Sequence, residues 1–257
     1  MQVSTAFAES ETMRENSEQK RTAHEAMAEK ASKGNRIALY NLCEMLAGDI
    51  LFRTKYIVGS GFDAEGVTQD VLLRVCESIR ELREPNAFKA WLGGILINEA
   101  RRHISKSARH AAVTSIDDYT IEPVKDKTAL APDGQAENSA PRKSVMEAVS
   151  KLPLRQREAA MLHYYDGLAV AEVAKAMDIS HQGVSRYLSL AQKRLAIELR
   201  KEKRAPDAGA PAPGPLGAAM SDAFQAMAAD SVPVGLDWAQ GALLQCQRQI
   251  LASIPAT

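Results

Sequence analysis

Residues 169–187 read AVAEVAKAMDISHQGVSRY, and this stretch decides the fold of the second half of the chain. Its apolar residues follow helical spacing on either side of Asp178, so two short helices meet at that residue. Ala174 is small where the two helices would approach most closely. The larger apolar positions, at which two crossing helices share a core, are Val173, Met177, Ile179 and Val184. This arrangement is typical of a helix–turn–helix.

The turn and the start of the second helix have the chemistry that this motif needs. Asp178 stands where glycine is usual, and aspartate tolerates the left-handed conformation better than most residues. Ser180 is a natural N-cap for the second helix. The helix then presents polar side chains that can bond base edges or phosphates. They are His181, Gln182, Ser185, Arg186, Ser189 and Lys193. The motif predicts binding to duplex DNA, and an ordinary αα-hairpin is the structural alternative.

A helical block of residues 142–204 surrounds the motif. An apolar stripe leads to Pro153, which marks a helix junction, and apolar spacing then continues to a break at Asp166–Gly167. The apolar positions are Val145, Ala148, Val149, Leu152, Met161, Leu162 and Tyr165. The block holds 13 Lys and Arg against 7 Asp and Glu, although the whole chain is formally neutral. This excess suits a negatively charged partner, and it also suits an ordinary solvated helix surface.

An earlier block, residues 35–108, contains three amphipathic helices. Asp63 caps the second helix, and Pro85 lies in the turn that separates it from the third. The apolar stripes of the three helices are, in turn, Leu39, Leu42, Cys43, Leu46 and Ile50; Val67, Val71, Leu72, Val75 and Ile79; and Phe88, Trp91, Leu92, Ile95 and Leu96. The third helix ends in the polar residues Asn98, Arg101, Arg102 and His103. Three such helices can bury one core, so we expect an all-α protein with two helical domains.

The segments outside these blocks have less regular patterns. Residues 1–34 are predicted to form a mobile, partly helical N-terminal arm. Residues 109–141 are predicted to be a flexible linker, and residues 205–220 a Pro/Gly/Ala spacer. Residues 221–257 carry one more amphipathic pattern with an acidic balance. We expect them to form a C-terminal helical extension whose role the sequence does not define.

Composition and motifs exclude several classes of protein. No apolar run approaches the roughly 18 residues of a membrane span, and the N-terminus lacks the apolar core of a signal peptide. We therefore expect a cytoplasmic protein without membrane insertion. Cys43, Cys76 and Cys246 lie far apart with no CxxC spacing, and Cys43 and Cys76, on apolar helix faces, are expected to be reduced core residues. The histidines show no ligand spacing, so no metal or cofactor is expected. Nucleotide-binding and hydrolase motifs are missing, which argues against an enzyme.

Three segments, taken together and in order, resemble a known family. FDAEGVTQDVLLRV (62–75) and FKAWLGGILINEARR (88–102) are similar to region 2 of bacterial sigma factors, and residues 152–195 are similar to region 4. Gly66 replaces a usual acidic residue, and Ile97 replaces a usual alanine. The chain is identified on these motifs as a member of the extracytoplasmic-function group of RNA polymerase sigma factors, in the sigma-70 family.

The resemblance implies a role for each block. In the family, the acidic segment of region 2 binds a coiled coil of the polymerase β′ subunit. The matching positions here are Asp63, Glu65, Gln69, Asp70 and Arg74. Asn98 matches the asparagine that helps to read a flipped base of the −10 strand, and Arg101, Arg102 and His103 would hold its phosphates. Region 4 reads the −35 duplex through its recognition helix, here residues 181–188. The implied partners are core RNA polymerase (β′ and β subunits), promoter DNA and an anti-sigma factor.

A stand-alone helix–turn–helix regulator is the alternative. Such a protein would need only residues 142–204 together with a ligand-binding or phosphoacceptor domain. Residues 35–108 carry neither a sheet pattern nor a pocket pattern. We therefore expect an initiation factor that recognises −35 and −10 elements.

Overall fold

A computed structural model describes residues 23–59, 62–111 and 147–202 of the protein. The helices are α1 (23–32), α2 (Arg36–Val58), α3 (Ala64–Ser78), α4 (Phe88–Ala111), α5 (147–150), α6 (Leu154–Ala160), α7 (Val170–Met177) and α8 (His181–Glu202). Short 3-10 turns at Ile79–Glu81 and Pro85–Ala87 join α3 to α4, and a π-helical turn at Met161–Tyr165 continues α6. These residues contain no strand, so the all-α prediction is confirmed.

Side-chain caps fix where two of the long helices begin. Before α2, Asn35 Oδ1 accepts a hydrogen bond from the backbone N–H of Ala38 at 3.0 Å. Before α3, Asp63 Oδ1 accepts one from the N–H of Gly66 at 2.9 Å. Each cap satisfies a backbone N–H that has no partner inside its helix. The predicted N-cap role of Asp63 is therefore confirmed.

Helices α2, α3 and α4 bury their predicted apolar stripes in one core. All but two of the stripe residues on α2 and α4 are fully buried, and Trp91 and Ile95 are partly buried against the same core. Cys43 on α2 and Cys76 on α3 lie in contact here, with their Sγ atoms 3.6 Å apart. Cys43 is completely buried, whereas Cys76 is partly buried. The contact joins α2 to the helix that carries the acidic face of this block.

The N-terminal arm is packed where the structure describes it. Residues 23–32 form α1, which agrees with the prediction that the arm is partly helical. Ala28 and Ala31 are 0% and 2% exposed. Two small side chains, one turn apart, give α1 a narrow apolar face that can approach its neighbours closely. For these residues the structure thus differs from the expected mobile arm. Residues 1–22 lie outside the described part of the chain.

The second block is a helix–turn–helix mounted on α5 and α6. Pro153 precedes α6, as the predicted junction requires, and Gly167 takes a φ of 69° after the π-helical turn. Asp178 ends α7 in the left-handed conformation, with φ 54° and ψ 51°. Val173, Met177 and Val184 are almost completely buried between α7 and α8. The predicted turn is therefore confirmed, and so is the shared core, except that Ile179 is only partly buried against it.

The two blocks pack against each other through α4 and α7. A Cβ atom at Gly94 of α4 would lie 3.4 Å from the carbonyl oxygen of Ala176 on α7, and a Cβ atom at Gly93 would lie 2.6 Å from Leu162 Cδ2. Gly94 therefore allows α4 to approach the backbone of α7, and Gly93 leaves room for the Leu162 side chain. The sequence predicted two domains but not this contact between them.

Among the described helices, none is both long and apolar enough to cross a bilayer. Residues 112–146 and 203–257 lie outside the described residues. The predictions for the spacer (205–220) and the extension (221–257) therefore stay predictions. Of the linker (109–141), only residues 109–111 are described, and they continue α4.

Candidate nucleic-acid interface

Helix α8 separates an apolar face from a polar face along its length. Val184, Leu188, Ala191 and Leu195 are buried against the second block. On the opposite face, every residue that the sequence predicted to contact DNA is exposed to solvent. These residues are His181, Gln182, Ser185, Arg186, Ser189 and Lys193. The structure thus brings all six predicted residues together on one solvent-facing surface.

The first turn of α8 is held in place by a local cap. Ser180 Oγ accepts a hydrogen bond from the N–H of Gly183 at 3.1 Å, so its predicted role as N-cap is confirmed. The left-handed geometry of Asp178 sets the angle at which α8 leaves α7. At the start of α7, Glu172 Oε2 accepts a hydrogen bond from the N–H of Ala169 at 2.7 Å. Capping at both helices therefore fixes the direction in which the exposed N-terminal turn of α8 points.

The predicted polymerase-binding residues lie at the start of α3 and along its polar half. Asp63, Glu65 and Arg74 are exposed, while Gln69 and Asp70 are half-buried. Opposite them, Val67, Val71 and Val75 are completely buried, so α3 is amphipathic as predicted. Asp63 also serves as the helix cap. The residues therefore lie outside the buried stripe of α3, although they differ in accessibility.

Asp70 is engaged by the cationic end of α4. Arg102 Nη2 lies 2.8 Å from Asp70 Oδ2, and His103 Nε2 lies 2.7 Å from the same oxygen. Arg102 Nε also lies 2.7 Å from Glu99 Oε2, and Arg74 Nε lies 3.7 Å from Glu99 Oε1. A residue predicted to bind polymerase thus pairs with two residues predicted to bind DNA.

The side chains of Asp70, Glu99 and His103 have the donor atoms of a metal site. Their ligand atoms lie within 4.8 Å of one another. The guanidinium of Arg102, however, hydrogen-bonds the Asp70 carboxylate, lies within salt-bridge distance of Glu99, and supplies the positive charge that a cation would bring. The cluster therefore functions as an ion-pair network between α3 and α4. Its histidine and glutamate are one helical turn apart, a spacing that the sequence analysis did not single out.

Asn98 and Arg101 occupy different environments although they are one turn apart on α4. Asn98 is exposed. Arg101 is 17% exposed and forms two parallel hydrogen bonds with Glu158 of α6, with Nε 2.8 Å from Oε1 and Nη2 2.6 Å from Oε2. Its Nη1 also donates to the carbonyl of Met177 at 3.4 Å. The Glu158 carboxylate has no exposed surface, and burial raises its pKa.

A second buried network joins the two blocks and is centred on Arg53 of α2. Arg53 is 3% exposed and bonds both oxygens of Asp166, while its Nη2 lies 2.6 Å from Asp49 Oδ2. The hydroxyl of Tyr165 donates to Asp49 Oδ1 at 2.5 Å, and Lys89 Nζ donates to the Asp166 carbonyl. Burial raises the pKa of the Asp166 carboxyl to about 6, in spite of the opposing charge of Arg53. The pairing of these residues across the two blocks carries no local signal in the sequence.

Two family models match the chain in the order of its two blocks. Sigma-70 region 2 matches residues 42–110, which include most of α2 and all of α3, and Sigma-70, region 4 matches residues 142–195, which include the helix–turn–helix. The chain belongs to the sigma-70 family. The resemblance drawn from the sequence motifs, including the extracytoplasmic-function group, is therefore confirmed.

Several curated sigma factors are similar to this member of the family. The ferric citrate uptake sigma factor FecI of Escherichia coli is 27% identical over 142 residues, which cover 51% of this chain and 73% of the relative. The ECF RNA polymerase sigma factor SigM of Mycobacterium tuberculosis is 27% identical over 134 residues, with 52% and 63% covered. The probable RNA polymerase sigma factor RfaY of Xanthomonas campestris is 29% identical over 137 residues, and the match spans only 34% of that relative.

A solved structure is also similar to this sigma-70 family chain. It is the sigma factor RpoE of Bartonella quintana, which was crystallised in complex with the anti-sigma factor NepR. The sequence identity is 20%, the TM-score is 0.46, and the match covers 66% of this chain and 98% of the other.

Proposed function

We propose that the protein is a sigma factor that binds core RNA polymerase and directs initiation at promoters with −35 and −10 elements. The observation that carries this proposal is that each of the two blocks that match a sigma-70 family model has a polar surface suited to one of these partners. One is the polar face of α8 in the region 4 block, and the other is the acidic face of α3 in the region 2 block. A factor of this kind performs no catalytic chemistry, and it would act in the cytoplasm, where the chromosome and polymerase are.

The −35 duplex is assigned to α8. An α-helix fits the major groove of B-DNA, and side chains from its N-terminal turns reach base edges there. His181, Gln182, Ser185 and Arg186 occupy those turns and are exposed. Ser189 and Lys193 lie further along the same face and are suited to the phosphate backbone. Arg186 is the best candidate for a base contact, because a guanidinium can bond guanine with two parallel hydrogen bonds.

The −10 strand and the polymerase are assigned to the first block. Asn98 is exposed at the polar end of α4, where its amide can bond a base edge, and Arg101, Arg102 and His103 are the nearby groups suited to phosphates. The face formed by Asp63, Glu65, Gln69, Asp70 and Arg74 is assigned to the β′ coiled coil. Contact with the β subunit and with an anti-sigma factor is part of the same proposal, and it rests on membership of the family.

Residues 221–257 are assigned a regulatory role on the basis of their sequence. The apolar residues in this segment outnumber those that a purely solvated tail needs, and its acidic balance complements the basic block before it. The Pro/Gly/Ala spacer of residues 205–220 would tether it flexibly. The alternative is an accessory helix that completes the core of the protein.

Run-off transcription tests the main proposal. Purified core polymerase plus the protein should produce transcripts from genomic fragments on which core polymerase alone is silent. Absence of any product, with protein shown to be folded, would contradict it. Copurification separates the proposal from the alternative of a stand-alone helix–turn–helix regulator. A sigma factor should remain bound to core polymerase through gel filtration in the absence of DNA, whereas a regulator should elute alone.

A further inference from the structure

Two cysteine side chains from different helices meet at the core of the region 2 block. Cys43 on α2 and Cys76 on α3 are 33 positions apart in the sequence, and their Sγ atoms lie 3.6 Å apart. Both side chains are thiols in the structure. The distance permits an S–H···S hydrogen bond, in which either thiol can be the donor. The fold thus holds two oxidisable sulfur atoms in direct contact.

The two thiols differ in their access to solvent. Cys43 has no exposed surface, and its neighbours Leu42, Leu46 and Ala47 on α2 are also buried. Cys76 packs against the same core but is only partly buried. A small oxidant in solution therefore reaches Cys76 and not Cys43. Redox-sensing cysteines are typically accessible in this way and lie next to a second cysteine that resolves the oxidised sulfur.

Cys76 lies in a part of α3 that can adjust its position. It belongs to the last turn of the helix, which ends at Ser78, and the 3-10 turn Ile79–Glu81 follows directly. The sulfur atoms of a disulfide are about 2.05 Å apart, so the two Sγ atoms must approach each other by about 1.5 Å. Side-chain rotation and a small shift of a helix end provide such a movement at lower cost than a shift in the middle of a buried helix. Cys43 can therefore stay in place while Cys76 moves.

We propose that Cys43 and Cys76 form a peroxide-sensitive dithiol, which closes to an intramolecular disulfide when hydrogen peroxide oxidises Cys76. In the first step, the Cys76 sulfur attacks one peroxide oxygen, the O–O bond breaks, and a sulfenic acid and one water form. In the second step, the Cys43 sulfur attacks the sulfenic sulfur, the S–S bond forms, and the hydroxyl group leaves with the Cys43 proton as a second water. The two thiols lose two hydrogen atoms, which the peroxide takes up as it is reduced to water.

The contact between the thiols also determines which product forms. Cys43 already lies against Cys76, so its effective concentration toward a sulfenic acid on Cys76 exceeds that of a thiol dissolved at millimolar concentration. The internal disulfide therefore forms before a mixed disulfide with glutathione or further oxidation of Cys76. In a reducing compartment such a disulfide is transient, because dithiol reductants reverse it. While it lasts, it ties α2 covalently to the helix that carries the acidic face.

The first measurement is peptide mass spectrometry of the folded, full-length protein after treatment with hydrogen peroxide, with the remaining thiols then blocked by N-ethylmaleimide in denaturant. We expect a linked pair of peptides that contain Cys43 and Cys76, lighter by two hydrogens than the separate peptides and released by dithiothreitol. Cys246→Ala is the matched control, because it keeps both paired cysteines and should give the same linked peptides. Cys43 that remains a thiol in the treated parent, or that links only to Cys246 or to a second molecule, would overturn the proposal.

The second measurement separates the roles of the two cysteines. In Cys43→Ala, a sulfenic acid on Cys76 has no internal partner, so dimedone or glutathione should trap at least about tenfold more of it than in the parent. In Cys76→Ser, which keeps the shape of the side chain, Cys43 should remain a thiol under the same treatment because the oxidant does not reach it. Circular dichroism melting shows whether each variant is folded.

If Cys43→Ala does not fold, Cys76→Ser carries this test alone. Equal trapping of Cys76 in the parent and in folded Cys43→Ala would overturn the proposal, and so would oxidation of Cys43 in folded Cys76→Ser. Neither measurement uses polymerase or DNA, so the result does not depend on whether the proposed function is correct.

Discussion

Arg53 on α2 and Asp166 after the π-helical turn form a buried ion pair, with Nη1 3.1 Å from Oδ1 and 3.2 Å from Oδ2, although 113 positions separate them in the sequence. Tyr165, next to Asp166, donates to Asp49 on the same side of α2, and its ring stacks on Phe52 with centroids 5.3 Å apart. The π-helical turn is what brings two consecutive side chains toward α2. Polar and aromatic contacts of consecutive residues therefore help to fix how the region 4 block sits on the region 2 block.

Stability should depend on the protonation of Asp166. Its carboxyl has a pKa of about 6 in the folded protein, raised from 3.8 by burial, so the folded state binds this proton more tightly than the unfolded state. The contribution of Asp166 to the unfolding free energy should therefore increase as the pH falls through 6. Linkage gives a gain on the order of 1 kcal/mol between pH 7.5 and pH 5. Chemical denaturation of the parent and of Asp166→Asn at both pH values measures it. A difference between the two proteins that does not change with pH would contradict the assignment.

Replacement of Asp178 by glycine should remove backbone strain from the turn of the helix–turn–helix. Asp178 is the one described non-glycine residue with a positive φ, at 54°. Glycine adopts this conformation without a steric penalty, and β-branched residues are strained in it. Asp178→Gly should leave the melting temperature unchanged or raise it, whereas Asp178→Val should lower the unfolding free energy by about 1–2 kcal/mol. Equal effects of the two substitutions would show that backbone strain does not decide stability here.

Arg186→Ala should weaken binding to a −35 duplex. Loss of a good bidentate base contact costs about 1–3 kcal/mol and relaxes the preference for the contacted base. The measurement is anisotropy titration at physiological salt with a promoter fragment obtained from run-off transcription. Arg36→Ala is the matched control, because Arg36 is also exposed but starts α2, away from α8. Unchanged affinity for Arg186→Ala would remove the residue from the recognition surface.

Asp70→Ala should weaken binding to core polymerase. The substitution removes a carboxylate from the α3 face, and it also releases Arg102 and His103 from their ion pairs. Gel filtration or surface plasmon resonance with core polymerase gives the affinity, and a melting curve separates loss of contact from loss of fold. Glu44→Ala, an exposed carboxylate on α2, is the control. Full affinity in a folded Asp70→Ala protein would show that the α3 face docks without this residue.

Deletion of residues 205–257 should leave a folded protein with altered activity. If the extension regulates the factor, the shortened chain should remain monodisperse and change its promoter output or partner binding. If the extension completes the core, the shortened chain should instead aggregate or melt at a lower temperature. Circular dichroism and run-off transcription on the same preparations distinguish the two. A shortened chain identical to the parent in both assays would reject both roles.

The features predicted from the sequence are those that local chemistry determines. Asp63 and Ser180 are caps because an N-cap needs only its own side chain and a backbone N–H three positions later. The polar face of α8 follows from helical spacing alone, since successive turns place His181, Ser185 and Ser189 on one side. The same spacing predicted the buried stripes of α2 to α4. These features survive any arrangement of the two blocks.

The contacts between the blocks were not predictable by the same reasoning. Arg101 and Glu158 are 57 positions apart, and neither differs locally from a residue on a solvated helix face. Lone charges of this kind look like surface residues, because burial depends on a partner from another element. The adjacent glycines Gly93 and Gly94, inside an otherwise helical pattern, were the available signal of a close helix contact. Ala28 and Ala31 of α1 were missed because two alanines in a polar segment give little hydrophobic periodicity.

The contact between Cys43 and Cys76 provides the protein with a built-in chemical reporter. Cys43 has no exposed surface, and its Sγ lies 3.6 Å from that of Cys76, so reagents in solution reach it only when α2 and α3 separate. The rate at which Cys43 reacts with an alkylating reagent under native conditions therefore measures how often this helix pair opens. Cys76, which is partly exposed, reacts without such an opening and serves as the internal standard. Local opening of the region 2 core can thus be followed by peptide mass spectrometry of the natural sequence, with no introduced label.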